Sequence, residues 1–298
     1  GSSLLFATTG AIIAMLFGYA VLEVVLIASA MMFSSTIIGL KLLPTTQLHH
    51  QHTGEVIISI LLLQDLIAIL ILLLLQAAAG AADGLAWELA RLGLALPLTM
   101  AVALLGARYL LVPLFVRFDT IQEYVFLLAI GWCLGFAQLA ASVGLSAEIG
   151  AFLAGVALAA SPISTFIAES LKPLRDFFLI MFFFALGAGF NPAMLPQVAL
   201  PALLLALAMV WLKPQLFRFL LRRTGESDSF SREVGVRLGQ ISEFSLLIAM
   251  LAWEGELISE QVAAVIQLAT LLSFILSSYW IMLRYPTPIA VSQRLRRD

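Results

Sequence analysis

Charge is scarce in this chain of 298 residues: Asp, Glu, Lys and Arg make up 11% of it, and the net charge is −2. Soluble domains carry about 25% charged residues. So little charge excludes a disordered chain, a charge-flanked coiled coil and a nucleic-acid binder, all of which depend on solvated charge. Cysteine is nearly missing too. The single Cys133 sits inside an apolar segment, which excludes a disulfide scaffold and any Cys-based metal centre within one chain. The three histidines, His49, His50 and His52, share one loop at a spacing that matches no zinc motif. They read as a solvated loop, or as a cluster able to sense pH or bind a metal. No basic stretch precedes the first apolar residues, so Gly1–Ala20 does not read as a signal peptide.

What the chain has instead is apolar surface: 62% of its residues are hydrophobic, and its mean hydropathy is +1.05. A water-soluble fold of this size could not cover that much. The expected fold class is therefore all-α, a polytopic membrane protein. A helix rising 1.5 Å per residue crosses the roughly 30 Å of hydrocarbon in about 20 residues. Ten apolar segments fit that length, roughly 3–20, 21–43, 53–79, 85–116, 121–142, 145–161, 165–190, 193–221, 232–253 and 258–284. Lipid leaves an open strand edge unsatisfied, and runs such as Ile57–Leu75 lack the alternation of a barrel strand. The start of segment seven, Phe166–Asp176, is amphipathic and suits the membrane interface. No linker rich in Pro, Gly or Ser divides the chain, so a single transmembrane domain over 1–298 is expected, with no soluble domain after segment ten.

The loops alternate in charge. Lys41, Arg117, Lys172, Arg175, Arg218, Arg222, Arg223, Arg232, Arg237, Arg284, Arg294, Arg296 and Arg297 fall on one side. Asp83, Glu88, Glu254, Glu256 and Glu260 fall on the other. The positive-inside rule makes the first set cytoplasmic, and both chain ends with it.

A charge deep in a span is costly and points to function. Arg91 and Arg108 lie close enough to the ends of segment four to snorkel, and Glu23 lies at a segment boundary. Asp65, Glu148, Lys213 and Glu243 remain. Asp65 is at the midpoint of segment three, in Leu63-Gln64-Asp65-Leu66. It reads as a protonated carboxyl bonded to a neighbouring helix, or as a carboxylate that binds a cation or a proton in turn. Gln64 offers a neutral oxygen beside it. Lys213 reads as half of a structural ion pair with a carboxylate such as Asp65, or as a switchable partner that pairs with Asp65 when no cation is bound.

Two polar clusters interrupt apolar segments: Ser34-Ser35-Thr36 in segment two, and Gly239-Gln240 with Ser242-Glu243 in segment nine. Each reads as hydroxyl-mediated helix packing or as a discontinuous helix that lines an ion site. With Gln64-Asp65 in one three-segment unit (about 1–79) and Lys213 in another (about 193–284), they form the pattern of an inverted repeat. Glu148 opens segment six behind Ser146, a candidate helix cap; it reads as a first-turn acid favoured by the helix dipole, or as part of an ion funnel. Ala151 and Gly155 offer a small-residue face for close helix packing.

At these residues the chain resembles the Kef-type branch of the monovalent cation:proton antiporters. The likeness is carried by Ser34-Ser35-Thr36 with Leu63-Gln64-Asp65, by Gly144-Leu145-Ser146 with Gly150-Ala151-Phe152-Leu153-Ala154-Gly155, and by Leu238-Gly239-Gln240 with Glu243-Phe244 after the run from Phe183 to Asn191. It covers nearly the whole chain. The resemblance implies two crossing, unwound helices (segments two and nine) beside the ion-binding carboxylate Asp65, with Lys213 as the family's basic residue. It implies a homodimer in the bacterial inner membrane that exchanges a monovalent cation for protons by alternating access, without cofactor or metal. A single deep acid, where electrogenic relatives have two adjacent ones, favours potassium over sodium and one-for-one exchange. Family members normally have two or three helices before the first segment seen here, and Kef systems usually end in a nucleotide-binding domain, so this chain is expected to lack both.

Other classes fit less well. A passive cation pathway would use the same residues, but no Thr-Val-Gly-Tyr-Gly filter is present. An organic-anion symporter would need more polar groups than Asp65, Lys213 and Glu243. An intramembrane enzyme would need paired aspartates or a His-Glu-x-x-His helix, and neither occurs. A non-transporting subunit would tolerate Asn at position 65.

Overall fold

The computed structural model describes residues 1–43, 52–79, 84–117, 122–159, 161 and 164–287. His49, His50, Asp83 and the arginines beyond residue 287 lie outside the described residues. The fold is all-α. Among the described residues thirteen α-helices run in chain order: α1 Ser2–Leu16, α2 Val21–Met31, α3 Thr36–Lys41, α4 His52–Ala79, α5 Leu85–Gly106, α6 Val112–Arg117, α7 Gln122–Ser142, α8 Ala147–Ala159, α9 Ser164–Gly189, α10 Leu195–Arg223, α11 Asp228–Arg237, α12 Glu243–Glu254 and α13 Glu260–Arg284.

Among the described residues, six stretches are long and apolar enough to cross a bilayer: Val21–Lys41, His52–Ala78, Ala86–Phe115, Glu123–Ser142, Pro192–Arg223 and Glu260–Arg284. Two more apolar helices, α1 and α8, are shorter. The expected count of ten spans is not confirmed by these helices. Segment nine is split into α11 and α12, and α9 carries Glu169, Lys172, Arg175 and Asp176 in its first half. Segment four also departs from a plain helix: α5 passes through a π-helical turn, Ala107–Leu111, into α6. Pro113 follows at once. It has no N–H for the carbonyl of Tyr109, and a widened turn absorbs the missing bond.

The chain groups into two compact units. One comprises Gly1–Leu75 with Asn191–Asp298, the other Gln76–Phe190. The first holds two similar triples. In each, a helix is followed by a broken helix and then by a long helix: α1, α2–α3, α4 and α10, α11–α12, α13. α1 packs on α2 and α10, α12 on α2 and α13, and α10 on α11 and α13.

The second unit is held by close apolar packing. α8 lies against α7 and α5. A Cβ at Gly150 would come within 2.4 Å of the Phe136 carbonyl oxygen, so only glycine lets α8 approach α7 this closely. Trp132 donates its indole N–H to Ala154 O at 3.1 Å and packs at the edge of a cluster of Ala103, Ala107, Phe136, Ala154 and Ala157. The small-residue face is thus Gly150 with Ala154. Gly155, expected to share such a face with Ala151, has no atom within 4 Å of its Cβ position. One residue along an α-helix is a turn of about 100°, so Gly155 points away from the face that Gly150 and Ala154 share.

Candidate functional site

The two breaks exist because small hydroxyl residues compete with the helix for its own backbone groups. Ser35 stands extended before α3, and its Oγ accepts from Ile38 N–H at 3.1 Å. Ser242 does the same before α12, accepting from Phe244 N–H at 3.2 Å. A backbone group left unpaired in hydrocarbon costs several kcal/mol, so the breaks persist only if their freed groups find partners. They do. Ser34 N–H donates to Gln64 Oε1 at 2.8 Å, and Ile241 N–H donates to Ser273 Oγ at 3.0 Å. Ser34 Oγ donates to Leu238 O at 2.8 Å, which ties one break to the other. Gln240, fully buried, donates to Ser35 O at 3.2 Å and Arg237 O at 3.0 Å and accepts from Ser277 Oγ at 2.9 Å. Ser245 Oγ donates to Ala30 O, joining α12 to α2.

Lys213 completes the stitching. It is fully buried, donates to Phe33 O in the first break and, at 3.1 Å, to Gln240 O in the second, and lies 5.2 Å from the centre of the Phe6 ring. Its helix reaches the breaks because Pro214 fits against two glycines. A Cβ would fall 2.6 Å from Pro214 O at Gly235, and 3.1 Å from Pro214 Cγ at Gly239. The pairing of Lys213 with Asp65 is corrected by this geometry: its ammonium bonds to carbonyl oxygens, and no ion pair joins it to a carboxylate among the described residues. The carbonyls win because they converge on one buried point and carry the negative ends of the interrupted helices. Gln64 has a structural part as well: its oxygen accepts from Ser34 N–H and so braces the break beside Asp65.

Asp65 is 9% exposed on α4, next to Gln64. The Thr36 hydroxyl lies beside it without forming a full hydrogen bond to any group. Glu243, in the first turn of α12, is near enough for its charge to act on Asp65. Its Oε1 accepts from Ile37 N–H at 3.3 Å, in the first turn of α3, while its Oε2 is sealed from solvent and unpaired. Two unpaired oxygens, from Thr36 and Glu243, thus accompany Asp65 where the breaks meet. Beside them, Gln64 lines a mostly apolar cavity of about 220 Å³ with Ser2, Ser3, Leu63 and Phe217.

The remaining candidates lie elsewhere. Glu148 is in the second unit, exposed in the first turn of α8, where Ile149 N–H donates to Ser146 Oγ at 3.3 Å. Glu23 closes the start of α2 through Ala20 N–H at 3.2 Å, and it accepts from Ser259 Oγ at 2.7 Å. Arg237, read from the sequence as a loop charge, is fully buried. It binds Glu233 at 2.8 Å, Leu42 O at 2.9 Å and Pro286 O at 2.9 Å, gathering the ends of three segments. Ser273 and Ser277 were not singled out as site residues; their four-residue spacing on an apolar helix is the signal that marks them.

A broken-helix pair stitched by a buried lysine, with a lone aspartate at the junction, is a specific arrangement. The transmembrane sodium/hydrogen exchanger family model matches residues 1–283. This chain belongs to that family. Among its relatives is the "Putative K(+) efflux antiporter KefB" of Alkalimonas amylolytica, 31% identical over 85% of this chain and 38% of the relative. The glutathione-regulated potassium-efflux system protein KefC of Klebsiella pneumoniae strain 342 is 30% identical over 83% of this chain and 40% of the relative. The KefC protein of Salmonella heidelberg is 31% identical over 87% and 42%. This exchanger-family chain spans about two fifths of the length of these curated relatives. The relatives are named as transport proteins, and the family is a multi-pass membrane family.

Proposed function

We propose that this chain is the membrane part of a secondary antiporter that exchanges a monovalent cation, potassium rather than sodium, for protons by alternating access. Asp65 carries the reading. It is nearly buried, has no ion-pair partner among the described residues, and sits with the unpaired oxygens of Thr36 and Glu243 at the crossing of two broken helices. A carboxylate in that setting is costly unless a cation or a proton neutralises it. The two ligands therefore compete for one group, and competition at one group is the simplest form of exchange. Lys213 and Glu243 hold the crossing in register as the site turns from one side to the other. The potassium-efflux names of the relatives support the choice of ion. The protein then works as a homodimer in the bacterial inner membrane, both chain ends cytoplasmic, with lipid as its solvent and no cofactor.

The test is flux in liposomes holding a pH-sensitive dye. Potassium added outside is expected to raise the lumenal pH, sodium to raise it less, and Asp65→Asn to give neither response. Cation flux without a pH change would identify a passive pathway and refute exchange. Undiminished exchange by Asp65→Asn would remove Asp65 from the mechanism.

A further inference from the structure

At one end of the first unit, arginines from two helices, α10 and α11, crowd around a single acid. Asp228, at the start of α11, bonds Arg218 at 2.7 Å, Arg222 at 3.3 Å and Arg232 at 2.8 Å. The hydrogen bonds from Arg218, foremost among its partners, hold the Asp228 carboxyl below the usual carboxylate range. Arg223, next to Arg222 at the end of α10, carries a further guanidinium with no ion pair among the described residues. It lies 4.8 Å from the centre of the Phe219 ring. Arg284, at the end of α13, shares the surroundings of Tyr285 with Arg232. Among the described residues, the neighbouring acids Glu226 and Glu233 are engaged, Glu226 with His52 at 2.7 Å and Glu233 with Arg237 at 2.8 Å. Positive charge is left in excess, on side chains that are half exposed: Arg222 is 58% and Arg232 50% open.

The apolar surface beside this charge identifies the partner. Phe219 is 53% exposed and Leu220 38% on α10, and Leu283 is 63% exposed next to Arg284. Arg223 lies over the exposed Phe219 ring itself. Guanidinium forks match phosphate oxygens in pairs, and exposed rings and leucines on the same helix ends match acyl chains. A soluble anion would use only the first feature.

We infer that the arginines around Asp228, at the turn between α10 and α11, form a binding site for the headgroup of an anionic phospholipid, with Phe219 and Leu220 against its chains. The site does not depend on ion exchange at Asp65. It sits on the face that the charge distribution assigns to the cytoplasm, where the leaflet is rich in anionic lipid and each arginine near the surface adds about 1 kcal/mol.

Native mass spectrometry of the purified, delipidated protein tests this, with phosphatidylglycerol and phosphatidylcholine offered in equal amounts. The wild-type protein is expected to retain phosphatidylglycerol preferentially. Arg223→Gln is expected to cut that preference roughly fivefold, and Arg222→Gln with Arg223→Gln roughly 25-fold. Arg223→Gln breaks no ion pair, so it stands as the test if the double variant does not fold. Lys172→Gln with Arg175→Gln, on α9 of the other unit, serves as the control and leaves the preference unchanged. Equal loss in that control would show general surface charge and overturn the site. So would an unchanged preference in Arg223→Gln. Displacement of the lipid by millimolar glycerol 3-phosphate would assign the site to a free phosphate and overturn the lipid reading.

Discussion

The break after α2 and the break after α11 are built from like parts. Each begins its second half on a serine cap, each frees one backbone N–H that the next long helix catches, and each yields a carbonyl to Lys213. They are finished differently. In the second break Gln240 is saturated on every side by Ser35, Arg237 and Ser277. In the first, Thr36 Oγ1 and Gln64 Nε2 remain unpaired with Asp65 alongside, and toward them the second turns one unpaired atom, Glu243 Oε2 just past its serine cap. Polar residues in a membrane helix therefore do not mark an ion site merely by being polar. Those whose bonding is complete hold the backbone, and those left unfinished are free to meet a ligand.

That comparison can be broken by substitution. The largest effect is expected at Asp65: Asp65→Asn abolishes exchange but leaves the melting temperature near that of the wild-type protein, because no hydrogen bond across the breaks depends on it. Lys213→Met is expected to cost both. It strips a donor from Phe33 O and Gln240 O, at roughly 1–3 kcal/mol for each buried acceptor left unpaired, and thermal denaturation with flux would record both losses. Glu243→Gln sharpens the contrast. The amide oxygen still accepts from Ile37 N–H, so the fold stands, while the loss of a negative charge beside Asp65 raises the KM for the cation roughly tenfold. Ser273→Ala has the smallest effect. It leaves the single N–H of Ile241 unpaired in the second break, costs about 1–3 kcal/mol and lowers Tm by several degrees, with exchange intact.

Much of this was legible without coordinates, for definite reasons. Asp65 stands out because nothing else for two turns on either side carries charge, and cost alone points to it. The breaks show as hydroxyls and glycine inside apolar runs. What sequence could not supply was the identity of acceptors. Backbone carbonyls are not written in a sequence, so Lys213 looked for a carboxylate and was given Asp65, while its true partners were Phe33 O and Gln240 O. Arg237 was counted among loop charges for the same reason: the carbonyls of Leu42 and Pro286 that bury it are silent at that level. Among the glycines, residue type could not separate Gly150 from Gly155, because the helical face that meets α7 is settled only by packing.

The central claim is that cation and proton compete for Asp65, and proton release on cation binding tests it most directly. Potassium chloride titrated into the purified protein in weak buffer is expected to release protons in proportion to the ion bound. Apparent affinity should fall as the pH is lowered, and Asp65→Asn should release none. Potassium binding that releases no proton, or that persists unchanged in Asp65→Asn, would contradict the account.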